Sequence, residues 1–182
     1  VTAWNPTVVA VMFGMNDCGI WLYGPNVTAA QRALRRQQLE DYRRALTALH
    51  ARIGRECPKA DRFYMTPTPY DDWSEATNLP PRAVGFGDAL GFAADIVRVR
   101  AEDGATMVDF HARMRDELVK ILARDPSYSF CPEDRVHPKV EGDYLMALTF
   151  LAAQGVGPRV SGVTVDAARC EAMRCENAEV SA

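Results

Sequence analysis

The sequence predicts an α/β protein of three layers, α/β/α, built around a parallel sheet. Three observations predict it. Short runs rich in Val and aromatic residues alternate strictly with longer segments whose apolar residues recur every three or four positions. The opening run, Val8 to Phe13, has no period-two alternation, the pattern of a strand buried on both faces. At 182 residues and 48% hydrophobic, the chain is large enough to bury a sizeable core.

The elements follow in order. After the first strand, residues 28 to 54 place Leu39, Tyr42, Leu46, Leu49 and Ile53 on one stripe, an amphipathic helix that ends near Gly54. Arg62 to Thr66 is a second strand, stopped by Pro67 and Pro69, whose rings cannot continue a central ladder. Residues 86 to 101 repeat the helical spacing through Phe86, Leu90, Ala93 and Val97, and Gly104 closes them ahead of a strand at 106–110. A third helix, 112–123, carries Met114, Leu118 and Ile121. A last helix, 139–153, is expected to bury Val140, Tyr144, Ala147, Leu148 and Leu151 and to stop at Gly155. Beyond Pro158, "VSGVTVDA" reads as a separate edge strand. Strand–helix–strand order implies right-handed crossovers, and ligands in such folds bind at the carboxyl ends of the strands. Gly14 to Asp17, Pro67 to Trp73 and the residues after Phe110 lie at that end.

Composition removes several functions. A net charge of −3 gives no clustered basic face for nucleic acid or an anionic membrane. The arginines at 32, 35, 36, 43, 44, 52 and 55 are interrupted by Glu40 and Asp41 and read as a solvated helix face. No apolar stretch reaches the roughly 18 residues of a membrane span. Five cysteines, at 18, 57, 131, 170 and 175, form no CxxC pair, which argues against a zinc site, and their odd number excludes a full disulfide framework. Cys170 and Cys175 are expected to be free thiols, although they are close enough to close a small loop in an oxidising compartment. The chain begins Val1-Thr2-Ala3-Trp4 without an initiator Met, which predicts a fragment or processed product and leaves localisation open.

Chemistry enters with "FGMND". Asn16 offers a neutral amide donor at a strand end, suited to an oxyanion, and Gly14 removes a Cβ that would hold a substrate carbonyl away. Gly and Asn after a strand are also ordinary turn residues. In "EDRVHP", Asp134 and His137 are three apart in a loop that leads into a helix, so their side chains can meet. A carboxylate that accepts from one imidazole nitrogen fixes the tautomer and leaves the other as a general base. His50, one residue off the stripe of the first helix, and His111, at the start of the third with no carboxylate three residues before it in a loop, read as structural or solvated. Trp21, Tyr23, Tyr70 and Trp73 fall in loops at the same end, placed either to stack on a sugar ring or simply to pack.

"FGMND" followed far downstream by "DRVHP" resembles the third and fifth conserved blocks of the SGNH hydrolases, the GDSL esterases and lipases. The resemblance covers roughly residues 5 to 155. It implies a flavodoxin-like sheet, an oxyanion-hole role for Asn16, and triad acid and base roles for Asp134 and His137. "PTPYDD" is similar to the loop of bacterial members, including some that act on acetylated carbohydrate. The chain departs from the family at the nucleophile, which the family carries in a Gly-Asp-Ser block ahead of the asparagine block. "GDA" at Gly87 to Ala89 has alanine in the serine's place, and Ser74, Ser127, Ser129, Ser161 and Ser181 lack the motif and read as surface hydroxyls.

The sequence thus implies that residues 1–157 are the C-terminal two-thirds of an SGNH hydrolase domain, N-terminally truncated, and that 158–182 begin a further segment. The expected activity is a serine esterase working through an acyl-enzyme on a small-molecule or carbohydrate ester, with no cofactor and no metal. Gly14, Tyr70 and Trp73 are the expected substrate contacts. A non-catalytic binding or scaffold protein that keeps the pocket is the alternative. A nucleotide binder is disfavoured, because no Gly-rich phosphate loop follows a strand.

Overall fold

The computed structural model describes residues 5–155. Three strands, β1 (Val8–Met12), β2 (Asp61–Met65) and β3 (Thr106–Val108), form a parallel sheet in the order β1-β2-β3. Helices α1 (Ala29–Glu56) and α2 (Phe86–Arg98) connect them, and α3 (Phe110–Leu122) and α4 (Val140–Ala153) follow. The edge strand expected after Pro158, and Cys170 and Cys175, lie outside the described residues.

The two sides of the sheet hold separate cores. Val11 and Tyr64 pack with Tyr42 and Leu46 of α1 and Leu90, Ala93 and Val97 of α2. On the other side Phe63 and Val108 pack with Met114 and Leu118 of α3 and Leu145 of α4. The molecule is therefore a three-layer α/β/α sandwich around a parallel sheet.

Local sequence accounts for the element ends. Thr28 and Gln31 form a reciprocal capping box at the start of α1, the Thr hydroxyl accepting from the Gln31 N–H and the Gln side chain from the Thr28 N–H. Asp109 caps α3 by accepting from the Ala112 N–H, so that helix starts two residues earlier than the apolar spacing suggests. Gly104, at φ 78°, ends the 3-10 turn Val99–Asp103 that continues α2.

Two expectations about burial are corrected. The first strand is not buried on both faces. Ala10 and Met12 lie in register with Phe63 and Met65, on the α3–α4 side, and there Val8 is 50% and Met12 37% exposed. Among the described residues β1 is an edge strand, and the α3–α4 core takes its sheet residues from β2 and β3. The stripe expected to bury α4 is also wrong. Leu145 is buried, with Met146, Phe150 and Ala153 packed beside it, while Val140, Tyr144, Ala147 and Leu151 face out. That helix is apolar all round, so periodicity could not choose its inner face.

Candidate functional site

The β1 strand ends in a turn that the sequence builds from its own side chains. Gly14 has φ 121°, a conformation open to glycine alone, and its N–H donates to Asp17 Oδ2 at 2.9 Å. A Cβ there would lie 3.2 Å from Pro67 and 3.3 Å from the Tyr42 hydroxyl. The expected reason for glycine, room for a substrate carbonyl, is therefore replaced by backbone conformation and by the close approach of β2's loop and α1. Asp17, read before only as part of the motif, closes the turn. Asn16 sits at its crest, exposed.

Asp134 and His137 do meet. The His137 Nδ1–H donates to Asp134 Oδ2 at 2.5 Å, and the ring is 77% exposed, so Nε2 faces outward. The other carboxylate oxygen accepts from the backbone N–H of Val136 and of His137, both at 2.8 Å. Partial burial pushes the Asp134 carboxyl up, and the His137 ring bond with these backbone bonds overcomes it, leaving the group below the usual carboxylate range. Asp134 therefore stays ionised at neutral pH and holds the ring in the Nδ1–H tautomer.

A third loop joins the other two. Pro67 lies against Gly14, and four residues later the Asp71 N–H donates to the Arg135 carbonyl at 3.0 Å. Met15 and Val136, the neighbours of Asn16 and His137, pack against the same core cluster. The loops after β1 and β2 and the loop before α4 thus gather at the carboxyl end of the sheet.

Within the middle loop, the aromatic residues separate. Tyr70 is 2% exposed, its ring edge-on to Phe86 and its hydroxyl accepting from the Ala83 N–H. It is a core residue with no free face for a ligand, which corrects the expectation of a substrate contact. Tyr23 is likewise buried against Phe86 and under Arg35. Trp73 and Trp21 remain exposed.

Asp71 and Arg135 are the residues sequence reasoning missed. Buried Asp71 accepts from the N–H groups of Trp73 and Ser74 and from the Ser129 hydroxyl, so it shapes the loop that presents Trp73. The Asp-Asp pair after Pro69 was the available signal, since Asp commonly closes turns on N–H groups two and three residues on. Ser74 is buried, not superficial, its hydroxyl donating to the Ser127 carbonyl. Ser127 donates to Asp125. His50 contacts the Tyr64 hydroxyl at 3.1 Å and Asp103 at 3.6 Å, and His111 is buried at the start of α3.

No family model matches the sequence, and no curated protein does. Solved structures do match. A gut microbial diltiazem-metabolizing enzyme superposes with a TM-score of 0.73 at 28% identity, over 84% of this chain and 34% of that one. Axe2, an acetylxylan esterase from Geobacillus stearothermophilus, gives 0.57 at 24%, over 85% and 62%. A GDSL-like lipase from Parabacteroides merdae gives 0.54 at 20%, over 86% and 63%. The chain spans less than two thirds of each of these proteins. Its sheet, its helical layers and these superpositions together show that the chain shares the α/β/α fold of an acetylxylan esterase and a GDSL-like lipase.

Proposed function

We propose that this chain is the part of an ester hydrolase that carries the oxyanion donor and the acid–base pair of an acyl-enzyme mechanism. The observation that carries the reading is the Asp134–His137 hydrogen bond, with Nε2 free on the outer side. In that arrangement Nε2 takes the proton of an attacking hydroxyl and returns it to the leaving alcohol, while Asp134 stabilises the imidazolium between the two steps. Asn16 donates to the oxyanion that forms as the hydroxyl adds to the ester carbonyl. Water then repeats the sequence and releases the acid.

On this reading the nucleophile lies outside the described residues. The hydroxyls of Ser74, Ser127 and Ser129 are committed to Ser127, Asp125 and Asp71. The open edge of β1 supports a further parallel strand, whose carboxyl end would emerge beside Asn16. The uncovered residues Val8, Ala10 and Met12, with the outer stripe of α4, suit a helix packed on that strand. On this reading residues 1–157 are the C-terminal two-thirds of a hydrolase domain. The substrate is a small-molecule or carbohydrate ester. Exposed Trp73 and Trp21 offer faces on which a sugar ring can stack, and one similar structure is an acetylxylan esterase.

The test uses the longest reading frame that contains this sequence and a short acyl ester. There His137→Ala should abolish activity at an unchanged melting temperature, and Asn16→Ala should lower kcat roughly 10²- to 10³-fold. Asp134→Asn should also be damaging, while His50→Ala should keep most of the rate. Activity retained in the His137 variant would replace this reading with that of a binding protein. The 182-residue chain alone should not react with a fluorophosphonate probe. Labelling that disappears on changing one of its own serines, at 74, 127, 129, 161 or 181, would place the nucleophile within it.

A further inference from the structure

Between the two residues of the acid–base pair stands a side chain whose position is unusual in three respects. Arg135 is 5% exposed, its backbone lies at φ 67°, and its guanidinium donates to three backbone carbonyls and forms no ion pair among the described residues. Nε donates to Pro80 O at 2.8 Å, and Nη1 donates to Asp71 O at 2.9 Å and Ser74 O at 3.3 Å. Its own main chain is also used. The N–H donates to Cys131 O and the carbonyl accepts from the Asp71 N–H, at 3.1 and 3.0 Å.

Each feature costs free energy unless something holds it. A left-handed backbone is unfavourable for a residue with a Cβ, and a buried cation needs its donors satisfied. A solvent-exposed arginine in a relaxed loop would need neither. The bonds run outward from the Asp134–His137 turn to the 71–80 loop, and two of the three carbonyls, Asp71 and Ser74, bracket Trp73. Arg82 bonds the Trp73 and Ser74 carbonyls, at 3.4 and 3.0 Å, without an interaction with the 131–137 loop. Arg135 alone of the two ties both loops together.

We infer that Arg135 is a positioning residue: its fork locks the Asp134–His137 turn onto the Trp73 loop and so fixes the histidine's orientation and tautomer. The inference rests on the acid–base reading of the pair, but it is tested without substrate. A lysine has one ammonium on a flexible stem and cannot reproduce a planar fork that serves carbonyls in two directions. A glycine would relieve the left-handed backbone and remove the fork, which separates backbone strain from fastening.

The experiment reads the ring nitrogens of His137 by long-range ¹H–¹⁵N correlation in the uniformly labelled 182-residue chain, at a pH where the imidazole is neutral. The native chain should show the Nδ1–H tautomer that donates to Asp134. Arg135→Lys and Arg135→Gly should both lose it in favour of the Nε2–H form that free imidazole prefers, with the circular dichroism of the native fold retained. Arg82→Lys should leave the tautomer unchanged. An unchanged tautomer in both Arg135 variants would overturn the inference, as would a loss of tautomer equally large in the Arg82 variant. Global unfolding of both Arg135 variants would make the residue a stability element and overturn the positioning role. Failure of the hydrolase reading would appear only in the activity assays.

Discussion

His111 shows how a single residue can matter to stability without entering the chemistry. It follows Phe110 in the first turn of α3, its N–H donates to the Thr66 hydroxyl at 2.8 Å, and its buried Nδ1 has no hydrogen-bond partner. Burial lowers its pKa to about 4, helped by Arg98 and Arg115 and opposed by Asp109 and Asp95. The unfolded chain takes up that proton near pH 6.5 and the folded one only near 4, so between these values the unfolded state binds more protons. Stability attributable to His111 is therefore whole above pH 6.5 and declines as the pH falls toward 4, by up to about 3 kcal/mol. Thermal melts of the native chain and of His111→Phe across that range should show a flatter dependence in the variant. Equal slopes would mean that the carboxylates, not His111, set the acid sensitivity.

At the scale of the element, α4 carries the sharpest difference between pattern and packing. Leu151 belongs to the stripe that the sequence suggests as buried, and Leu145 does not, yet Leu145 sits in the α3–α4 core and Leu151 lies outside it. In the 182-residue chain, Leu145→Ala should cost about 2–5 kcal/mol, the range for a buried leucine, whereas Leu151→Ala should stay within about 0.5 kcal/mol. Urea denaturation of the two variants measures both. Similar losses would return Leu151 to the core. The α2 stripe was legible because polar residues flank it, leaving Phe86, Leu90, Ala93 and Val97 a single inner face.

For the whole molecule, the sheet has an apolar open edge at β1 among the described residues. Val8, Ala10 and Met12 are apolar and uncovered, and the last two lie in register with Phe63 and Met65 of the α3–α4 core, a surface that a lone edge strand would ordinarily protect with charge. Met12→Lys separates the two accounts of that face. In the 182-residue chain the lysine should cost less than about 0.5 kcal/mol, since the site is open to water. In the longer reading frame, where a further strand and helix are proposed to cover it, the same change should cost more than about 2 kcal/mol, because the charge is then buried. Equal melting shifts in the two proteins would show that nothing packs against β1 there. Among the described residues no helix is long and apolar enough to cross a membrane.

What the sequence determined by itself was local: the order and kind of the elements, their stops at Pro67 and Gly104, and the Asp134–His137 pair. All of these depend on spacings of a few residues, which is the range over which propensity, capping and side-chain reach operate. The thiol of Cys131, the hydroxyl of Ser74 and the ring of Tyr70 could not be placed that way, because their burial depends on chain segments more than ten residues distant. The same holds for Gly14, whose need for glycine comes partly from Pro67 and Tyr42, and for Arg135, whose side-chain partners lie between 55 and 64 residues away. Tertiary structure also decided which face of β1 is covered and which stripe of α4 turns inward, since an apolar pattern states that a residue can be buried and only the neighbouring layer makes it so.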